Sequence, residues 1–278
     1  MKKSTAAFLL FFYAGFFVFQ GCDNNPQDSN ANTHNKSCCD SAKKSCMQDP
    51  CYDKIGVNQS PINIVNFTAL SGPEANKLFS FSNLVAGDAV YKLSGDPGKP
   101  NFKVAPKDRL NAGTVFLYGQ PYQLDEFHFH TPAEHRINGR RYPMEMHLVY
   151  KNQVTGRIIA VGVLMNTTAT QDVIDLNQIF TQANAVFQGG NDVPGNYSLS
   201  FLPYTNLNRS DFYNYTGSLT TGDFPEGLTW FVMKTPISIS PGNYKLFKSM
   251  TYKGDSIGYS RDTLPVYNRV VLEVQLGK

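Results

Sequence analysis

Two short stretches of alternating side chains constrain the fold of this chain more than any other feature of its sequence. In an extended strand, residues two apart point to the same face. Glu126, His128 and His130 therefore share one face of a predicted strand, while Phe127 and Phe129 fill the other. The chain must fold so that one face of this strand packs into an apolar core and the other stays polar.

The second stretch, residues 144–149, repeats the pattern. Glu145, His147 and Val149 line one face, and three apolar side chains line the opposite face: Met144, Met146 and Leu148. Two neighbouring strands would then offer three imidazoles, those of His128, His130 and His147. Three neutral nitrogens leave the fourth position of a tetrahedral Zn²⁺ open, which is typical of a catalytic site. The pattern predicts a zinc site that activates water.

The alternative is a set of ordinary buried histidines without a metal. A single histidine in a strand is more often a polar residue with satisfied hydrogen bonds than a ligand. Three imidazoles packed together without a metal would leave nitrogens unpaired, at a cost of about 1 to 3 kcal/mol each. Glu126 lies two positions before His128, and Glu145 lies two positions before His147. His130 lies two positions beyond His128 on the same strand face. The cluster therefore favours metal binding.

Composition argues for one sheet-dominated domain and against nucleic-acid binding. Charged residues make up 17% of the chain, the net charge is +3, and no basic run is dense enough to bind nucleic acid. Residues 54–278 are enough for a single domain with a sizeable core. Runs rich in β-branched and aromatic residues predict strands at 158–165, 228–234 and 269–276. Apolar residues at helical spacing predict a helix over 171–186, with Asp172 at its start.

The first 21 residues predict export. Lys2 and Lys3 precede an apolar stretch over 6–19, which is shorter than the roughly 20 residues of a membrane span and typical of a secretory signal. The Gly21-Cys22 pair that follows resembles a bacterial lipoprotein box, in which Cys22 becomes a lipid-modified membrane anchor. An ordinary cleaved signal peptide and an uncleaved anchor remain alternatives. All three predict an exported protein, and the lipoprotein hypothesis places it in the periplasm or at the cell surface, anchored to a membrane.

Residues 22–53 predict a flexible tether, because they are rich in Asn, Asp, Ser and Lys and nearly free of large apolar side chains. Four cysteines lie in this segment: Cys38, Cys39, Cys46 and Cys51. Outside the cytosol they are expected to pair with one another, in one of three connectivities. Their spacing lacks a double C-x-x-C, which disfavours metal binding by this cluster.

Several motifs, in the same order and spacing, resemble the α-class carbonic anhydrases in a bacterial-type exported or lipoprotein form. They span most of residues 54–278 and comprise Gln59-Ser60-Pro61-Ile62-Asn63-Ile64, residues 126–135 and 142–149, Gly217-Ser218-Leu219-Thr220-Thr221, Thr229-Trp230 and Lys234-Thr235-Pro236-Ile237-Ser238. The resemblance implies a mainly β (α+β) single domain with a large, mostly antiparallel central sheet and few peripheral helices. It also implies reversible, zinc-dependent hydration of carbon dioxide to bicarbonate and a proton.

The side chains around the predicted zinc site have distinct expected roles. Glu126 and Glu145 are placed to accept hydrogen bonds from the N–H groups of the ligands, which fixes the tautomers. The resemblance implies that the Thr220 hydroxyl donates to Glu134 and orients the attacking hydroxide. It also implies an apolar substrate pocket with walls formed by Val149, Ala160, Leu219, Thr221 and Trp230.

Two departures from the family pattern lead to further expectations. Gly222-Asp223 replaces two prolines, one of which usually follows a cis bond. A non-proline cis bond costs about 2.5 to 4 kcal/mol, so this loop is predicted to be all-trans. Pro100, or Lys99, stands where fast relatives carry a proton-relay histidine. His135 is expected to hydrogen-bond within the core instead.

Three function classes are consistent with these features: hydration of carbon dioxide, a binding or adhesion module on the same fold, and a metal-sequestering surface lipoprotein. Retention of the three histidines, Glu134 and Thr220 argues against the binding module. Sequestration does not explain Thr220, Thr221 or the wall residues. The expected partners are therefore carbon dioxide and bicarbonate, and a membrane through the lipid anchor.

Overall fold

Thirteen strands form one sheet that builds most of the described part of the chain. The computed structural model describes residues 56–82, 86–95, 99–202 and 211–276. The predicted signal peptide and tether lie outside these ranges, together with Cys22 and the four cysteines at 38, 39, 46 and 51. Within the described ranges, the helices are too short or too polar to cross a membrane.

The strands are short, and the three described helices lie between them. In chain order the helices are α1 Pro73–Leu78, α2 Ile174–Gly189 and α3 Pro241–Ser249. The strands are β1 Asn63–Ile64, β2 Thr68–Ser71, β3 Phe79–Phe81, β4 Gly87–Ser94, β5 Asn101–Pro106, β6 Thr114–Leu117, β7 Gln120–His130, β8 Arg136–Ile137, β9 Arg140–Arg141, β10 Met144–Lys151, β11 Ile158–Asn166, β12 Val193–Tyr197, β13 Asp211–Ser218, β14 Glu226–Met233, β15 Ile237–Ser238, β16 Thr251–Tyr252, β17 Asp255–Ser256 and β18 Leu272–Gln275.

The main path of the large sheet runs in the order β12-β4-β5-β7-β10-β11-β14-β13-β18-β2, with β3, β6 and β15 paired beside it. Most neighbours are antiparallel, and the parallel pairs are β11 with β14, β11 with β15, and β18 with β2. The predicted fold class, mainly β with a large and mostly antiparallel sheet and few helices, is confirmed. Strands β7 and β10, which carry the histidines, are neighbours at the centre of the path.

The two faces of the central strands bury different residues. Phe127 and Phe129 are fully buried in the larger core. There, Phe129 packs edge-on against Phe180 of α2 at 5.1 Å and lies 6.0 Å from Phe247 of α3. Burying a side chain of this size contributes about 1.5 to 3 kcal/mol. The histidines lie on the opposite face, beside a smaller apolar cluster that contains Trp230.

The predicted start of the long helix was wrong by three residues. Helix α2 begins at Ile174, and Asp172 lies before it. The Asp172 carboxylate accepts hydrogen bonds from the Asn177 side chain at 3.1 Å and from the hydroxyl of Ser240, the N-cap of α3. Asp172 therefore joins the starts of two helices instead of capping one.

The strand predicted over 269–276 is also shorter in the structure, because β18 covers only Leu272–Gln275. Upstream of it, Arg269 closes a turn: its backbone N–H and its side-chain Nε both donate to the carbonyl of Val266. The strands predicted at 158–165 and 228–234 correspond to β11 and β14 with end shifts of one or two residues.

Candidate active site

Three histidine side chains converge on the face of β7 and β10 opposite the larger core. His128 and His147 are directly opposite each other in the antiparallel register, and His130 is opposite Glu145. The ring centres are 4.9 Å apart for His128 and His130, 5.2 Å for His128 and His147, and 4.5 Å for His130 and His147. One nitrogen from each ring lies within 4.8 Å of the other two. The alternation of the two strands thus brings together the residues predicted from it.

The second nitrogen of each ring is hydrogen-bonded. His128 Nδ1 donates to Glu126 Oε2 at 2.9 Å, His130 Nδ1 to the carbonyl of Tyr259, and His147 Nε2 to Glu145 Oε1 at 3.0 Å. These bonds leave Nε2 of His128, Nε2 of His130 and Nδ1 of His147 as the nitrogens that carry a lone pair. The Nε2 atom of His130 is buried and has no protein hydrogen-bond partner. Such an atom is costly unless something binds it, and three neutral imidazoles suit Zn²⁺.

Burial favours the neutral form of two of the three imidazoles, His130 and His147, in the metal-free chain. It lowers the pKa of His147 to about 4, although Glu145 acts in the opposite direction. Burial also lowers the pKa of His130 well below its ordinary value, and the charges of His147 and His128 reinforce this effect. Neutral imidazole is the form that binds metal.

The metal-free chain is therefore expected to lose stability as the pH falls from about 6.5 towards 4. In this window the unfolded state binds protons at His130 and His147 that the folded state does not, and each pKa unit corresponds to about 1.4 kcal/mol. Thermal unfolding of the chelator-treated protein at several pH values checks this. A midpoint that stays constant from pH 7 to pH 5 would contradict the burial argument.

Glu145 is the centre of a buried hydrogen-bond network. Its Oε1 also bonds His135 Nδ1 at 2.7 Å, and its Oε2 accepts from the backbone N–H groups of Glu134 and His135, both at 2.8 Å. Burial acts to raise the pKa of Glu145, but His135 and His147 outweigh it and hold that pKa well below the usual range. The carboxylate is therefore ionised and held in one orientation.

Two residues that support Glu145 were missed from the sequence. Gly162 of β11 is paired with His147, and a Cβ at this position would lie 2.8 Å from Glu145 Oε1. Tyr215 of β13 bonds His135 Nε2 through its hydroxyl at 2.6 Å and donates to Ser60 Oγ at 2.8 Å. His135 thus hydrogen-bonds within the core, as predicted. Alternation along β13 points to a buried Tyr215, but not to its partner.

Glu134 and Thr220 lie next to the histidines. Glu134 Oε1 accepts from the backbone N–H of Arg261 at 2.7 Å, and the Thr220 side chain lies next to the same carboxyl group, whose Oε2 has no hydrogen-bond partner among the described residues. Burial raises the pKa of Glu134 well above its ordinary value, although the Arg261 N–H and the nearby Thr220 hydroxyl act in the opposite direction. The carboxyl oxygens lie 3.5 Å from His130 Nδ1 and 3.9 Å from His147 Nε2. The two residues expected to orient a nucleophile are therefore paired beside the three imidazoles.

A cleft of about 460 Å³, counting its solvent-open part, leads to this group. It is lined by Ser94, Gly95, Lys99, Asn101, Lys103, His128, Thr220, Thr221, Gly222, Phe224 and Tyr259. The ammonium of Lys99 lies 4.3 Å from the centre of the Tyr259 ring. Pro100, in contrast, is buried. Of the two positions considered for a proton relay, Lys99 is the one that faces the cleft.

Comparison with known proteins agrees with this geometry. The sequence model of the eukaryotic-type carbonic anhydrases matches residues 43–275. The chain belongs to this family. It is 28% identical over 232 residues to a carbonic anhydrase of Klebsiella pneumoniae, covering 78% of this chain and 80% of the relative.

Two solved structures share the architecture of this chain. The α-carbonic anhydrase of Thermovibrio ammonificans, in complex with the inhibitor sulfanilamide, is 30% identical and superposes with a TM-score of 0.60, covering 79% of this chain and 88% of that one. Dioscorin complexed with ascorbate is 25% identical, with a TM-score of 0.67 over 80% of this chain and 88% of that one.

The residues predicted to form the walls of a substrate pocket lie at different depths. Thr221 lines the cleft. Ala160 and Trp230 are buried in the smaller apolar cluster, Leu219 packs against that cluster, and Val149 is buried opposite Ala160. Trp230 is held there because its indole N–H donates to the carbonyl of Ser218 at 3.0 Å. The centre of the Trp230 ring is 4.8 Å from that of the His147 ring, so this buried side chain lies directly beside the histidine.

The loop that departs from the carbonic anhydrase pattern is all-trans, as predicted. The cis bonds of the described residues precede Pro61 and Pro132. Gly222 adopts a left-handed conformation with φ 66°, where glycine carries little strain. The guanidinium of Arg261 lies 3.6 Å from the centre of the Phe224 ring and anchors the end of the loop. Thr220 keeps its contact with Glu134 despite the altered loop.

Proposed function

We propose that this chain catalyses the reversible, zinc-dependent hydration of carbon dioxide to bicarbonate and a proton. The observation that carries the proposal is the convergence of three buried imidazole nitrogens beside the Glu134–Thr220 pair. Carbonic anhydrase is itself the standard example of a three-histidine catalytic zinc site with an open fourth position. Family membership supports the same reaction.

His128, His130 and His147 would hold the ion. When bound, Zn²⁺ would act as a Lewis acid that lowers the pKa of water, so that hydroxide is available near neutral pH. Carbonic anhydrase is again the reference case for this effect. Glu126 and Glu145 fix the tautomer and orientation of His128 and His147, which increases the basicity of both rings.

Thr220 supplies orientation. Its side chain lies next to Glu134. If the hydroxyl donates its proton to that carboxyl group, its oxygen is left as an acceptor for the O–H of the nucleophile, which would direct a lone pair towards the substrate. The backbone N–H of Arg261 holds the Glu134 carboxyl group in place. Carbon dioxide is small and apolar, so it needs no charged clamp. Leu219, Val149 and Trp230 supply apolar surface close to the histidines.

Stopped-flow hydration of carbon dioxide by the full-length chain, with metal content measured on the same sample, tests the proposal. We expect about one zinc per chain and a rate that is lost with a chelator and restored with zinc. Zinc binding without hydration would favour metal sequestration. Absence of both would favour a binding or adhesion module.

Turnover in dilute buffer is expected to be limited by proton release. Each hydration yields a proton that must reach solvent, and a nearby imidazole is the best relay at neutral pH. In the described residues, the cleft presents Lys99 and Lys103 but no histidine apart from His128. Imidazole-type buffers should therefore raise kcat in a saturable way and leave kcat/KM nearly unchanged. Lys99→His should remove part of this dependence, and a kcat that is independent of buffer would contradict the prediction.

We further propose that the protein is exported and anchored through a lipid on Cys22. The Gly21-Cys22 pair after an apolar leader supports this proposal. Cys22→Ser is expected to yield a soluble exported protein, checked by fractionation into membrane and soluble material. Continued membrane association of the variant would instead favour an uncleaved anchor.

A further inference from the structure

A lysine in the cleft contacts the carboxylate that holds one of the three histidines. Lys103 Nζ lies 3.4 Å from Glu126 Oε1, and Glu126 Oε2 accepts the hydrogen bond from His128 Nδ1 at 2.9 Å. The two oxygens of one carboxylate thus bind different partners. Lys103, Glu126 and His128 form a continuous chain from the cleft to the predicted metal site.

Sheet geometry makes this arrangement specific. Val104 of β5 is paired with Phe127 of β7, and both side chains enter the larger core. Lys103 must therefore point to the opposite face, which it shares with Glu126 and His128. Its side chain is 39% exposed, whereas that of Glu126 is only 10% exposed. The lysine thus neutralises a carboxylate that has little access to water.

Glu126 alone would have two competing tasks. As an ionised and mostly buried carboxylate, Glu126 is stabilised by any orientation in which it contacts solvent or a cation. To hold His128, however, it must keep the single orientation in which one oxygen accepts the hydrogen bond from the imidazole. Lys103 supplies that cation on the cleft side, so Oε1 is occupied while Oε2 faces the imidazole. We propose that Lys103 is a positioning residue of the zinc site, which acts through Glu126 to orient His128 and strengthen zinc binding. This inference rests on the zinc site of the proposed function.

A double-mutant cycle on zinc affinity tests the inference. The zinc dissociation constant is measured by competition with a chromophoric chelator for the full-length wild type, Lys103→Met, Glu126→Gln and the double variant. Lys103→Met keeps the aliphatic stem and should weaken zinc binding about threefold to fivefold, the scale of a partly exposed ion pair. In the Glu126→Gln background the same change should have no further effect, because a neutral amide needs no cation.

Two further variants separate contact from charge. Lys92 of β4 is paired with Lys103 and contacts Asp192 at 3.6 Å, one strand further from His128. Lys92→Met removes the same charge and should leave zinc affinity unchanged. Lys103→Arg keeps the positive charge beside Glu126 and should retain the zinc affinity of the wild type. Equal losses in Lys92→Met and Lys103→Met, or a Lys103→Met effect that persists beside Glu126→Gln, would overturn the inference.

The zinc readout also distinguishes this inference from the proposed function. A wild type that binds zinc and hydrates carbon dioxide, with Lys103→Met unchanged in affinity, overturns only the role of Lys103. A wild type that binds no zinc overturns both. Zinc binding that depends on Lys103 but comes without hydration supports the positioning role and overturns the catalytic proposal.

Discussion

His147→Ala is expected to abolish zinc binding and carbon dioxide hydration together. The substitution leaves two imidazoles, and loss of a ligand must cost more than the 10- to 100-fold in affinity associated with losing a hydrogen-bond partner of a ligand. Without the ion the reaction loses several kcal/mol of stabilisation, so kcat/KM should fall by roughly 10³-fold or more. Zinc content by atomic absorption and stopped-flow rates on the same sample measure both effects.

The control must separate a lost ligand from a damaged fold. His147 is buried, and its ring packs against Trp230, so removing the ring could also disturb the fold. His147→Gln preserves more of the side-chain volume, and its thermal unfolding without metal should be compared with that of the wild type and of His147→Ala. His34 lies in the predicted tether, and His34→Ala should keep full zinc content and rate. Full zinc content and an unchanged rate in His147→Ala would show that the ion is bound elsewhere.

Thr220→Ala is expected to keep zinc and lose activity. The Thr220 side chain lies next to Glu134 and lines the cleft, but the three predicted zinc ligands are histidines, so the substitution removes no ligand. Losing one positioning hydrogen bond corresponds to about 2.7 kcal/mol, so kcat/KM should fall roughly 10²-fold. Measurement of kcat/KM for carbon dioxide, together with zinc content, tests this.

Thr220→Ser is the matched variant, because it keeps the hydroxyl and removes only the methyl group. It should recover most of the rate. If both variants were equally slow, packing of the methyl group would explain the loss. If Thr220→Ala were as fast as the wild type, the contact with Glu134 would have no part in orienting the nucleophile.

The histidine cluster could be predicted because its cause is local. Alternation with a period of two places Glu126, His128 and His130 on one face whatever the rest of the chain does. The second strand repeats the pattern, and only the pairing of the two strands had to be inferred. The resemblance to carbonic anhydrases then supplied Glu134 and Thr220, which no local pattern indicates.

Contacts between distant segments could not be predicted in the same way. The carbonyl of Tyr259 and the backbone N–H of Arg261 hold His130 and Glu134, yet a backbone group carries no signal of its partner in the sequence. The start of α2 was misplaced for a similar reason, since Asp172 bonds Ser240 of another helix. The depth at which the predicted wall residues lie also depends on packing, since Trp230 is held in the smaller apolar cluster by its hydrogen bond to the carbonyl of Ser218.

The strand pairing also sets an order of assembly. The histidines lie on adjacent strands close together in sequence, whereas the Glu134–Arg261 bond spans 127 residues and the bond from Arg261 Nη1 to Gln59 Oε1 spans 202. Closing longer loops costs more entropy, and contacts between distant residues slow folding. A partly folded chain with β7 paired to β10 would bring the three histidines together, while His130 and Glu134 would gain their contacts with Tyr259 and Arg261 only when the C-terminal segment docks. If the chain binds zinc as proposed, metal capture during biosynthesis would therefore precede the gain of activity.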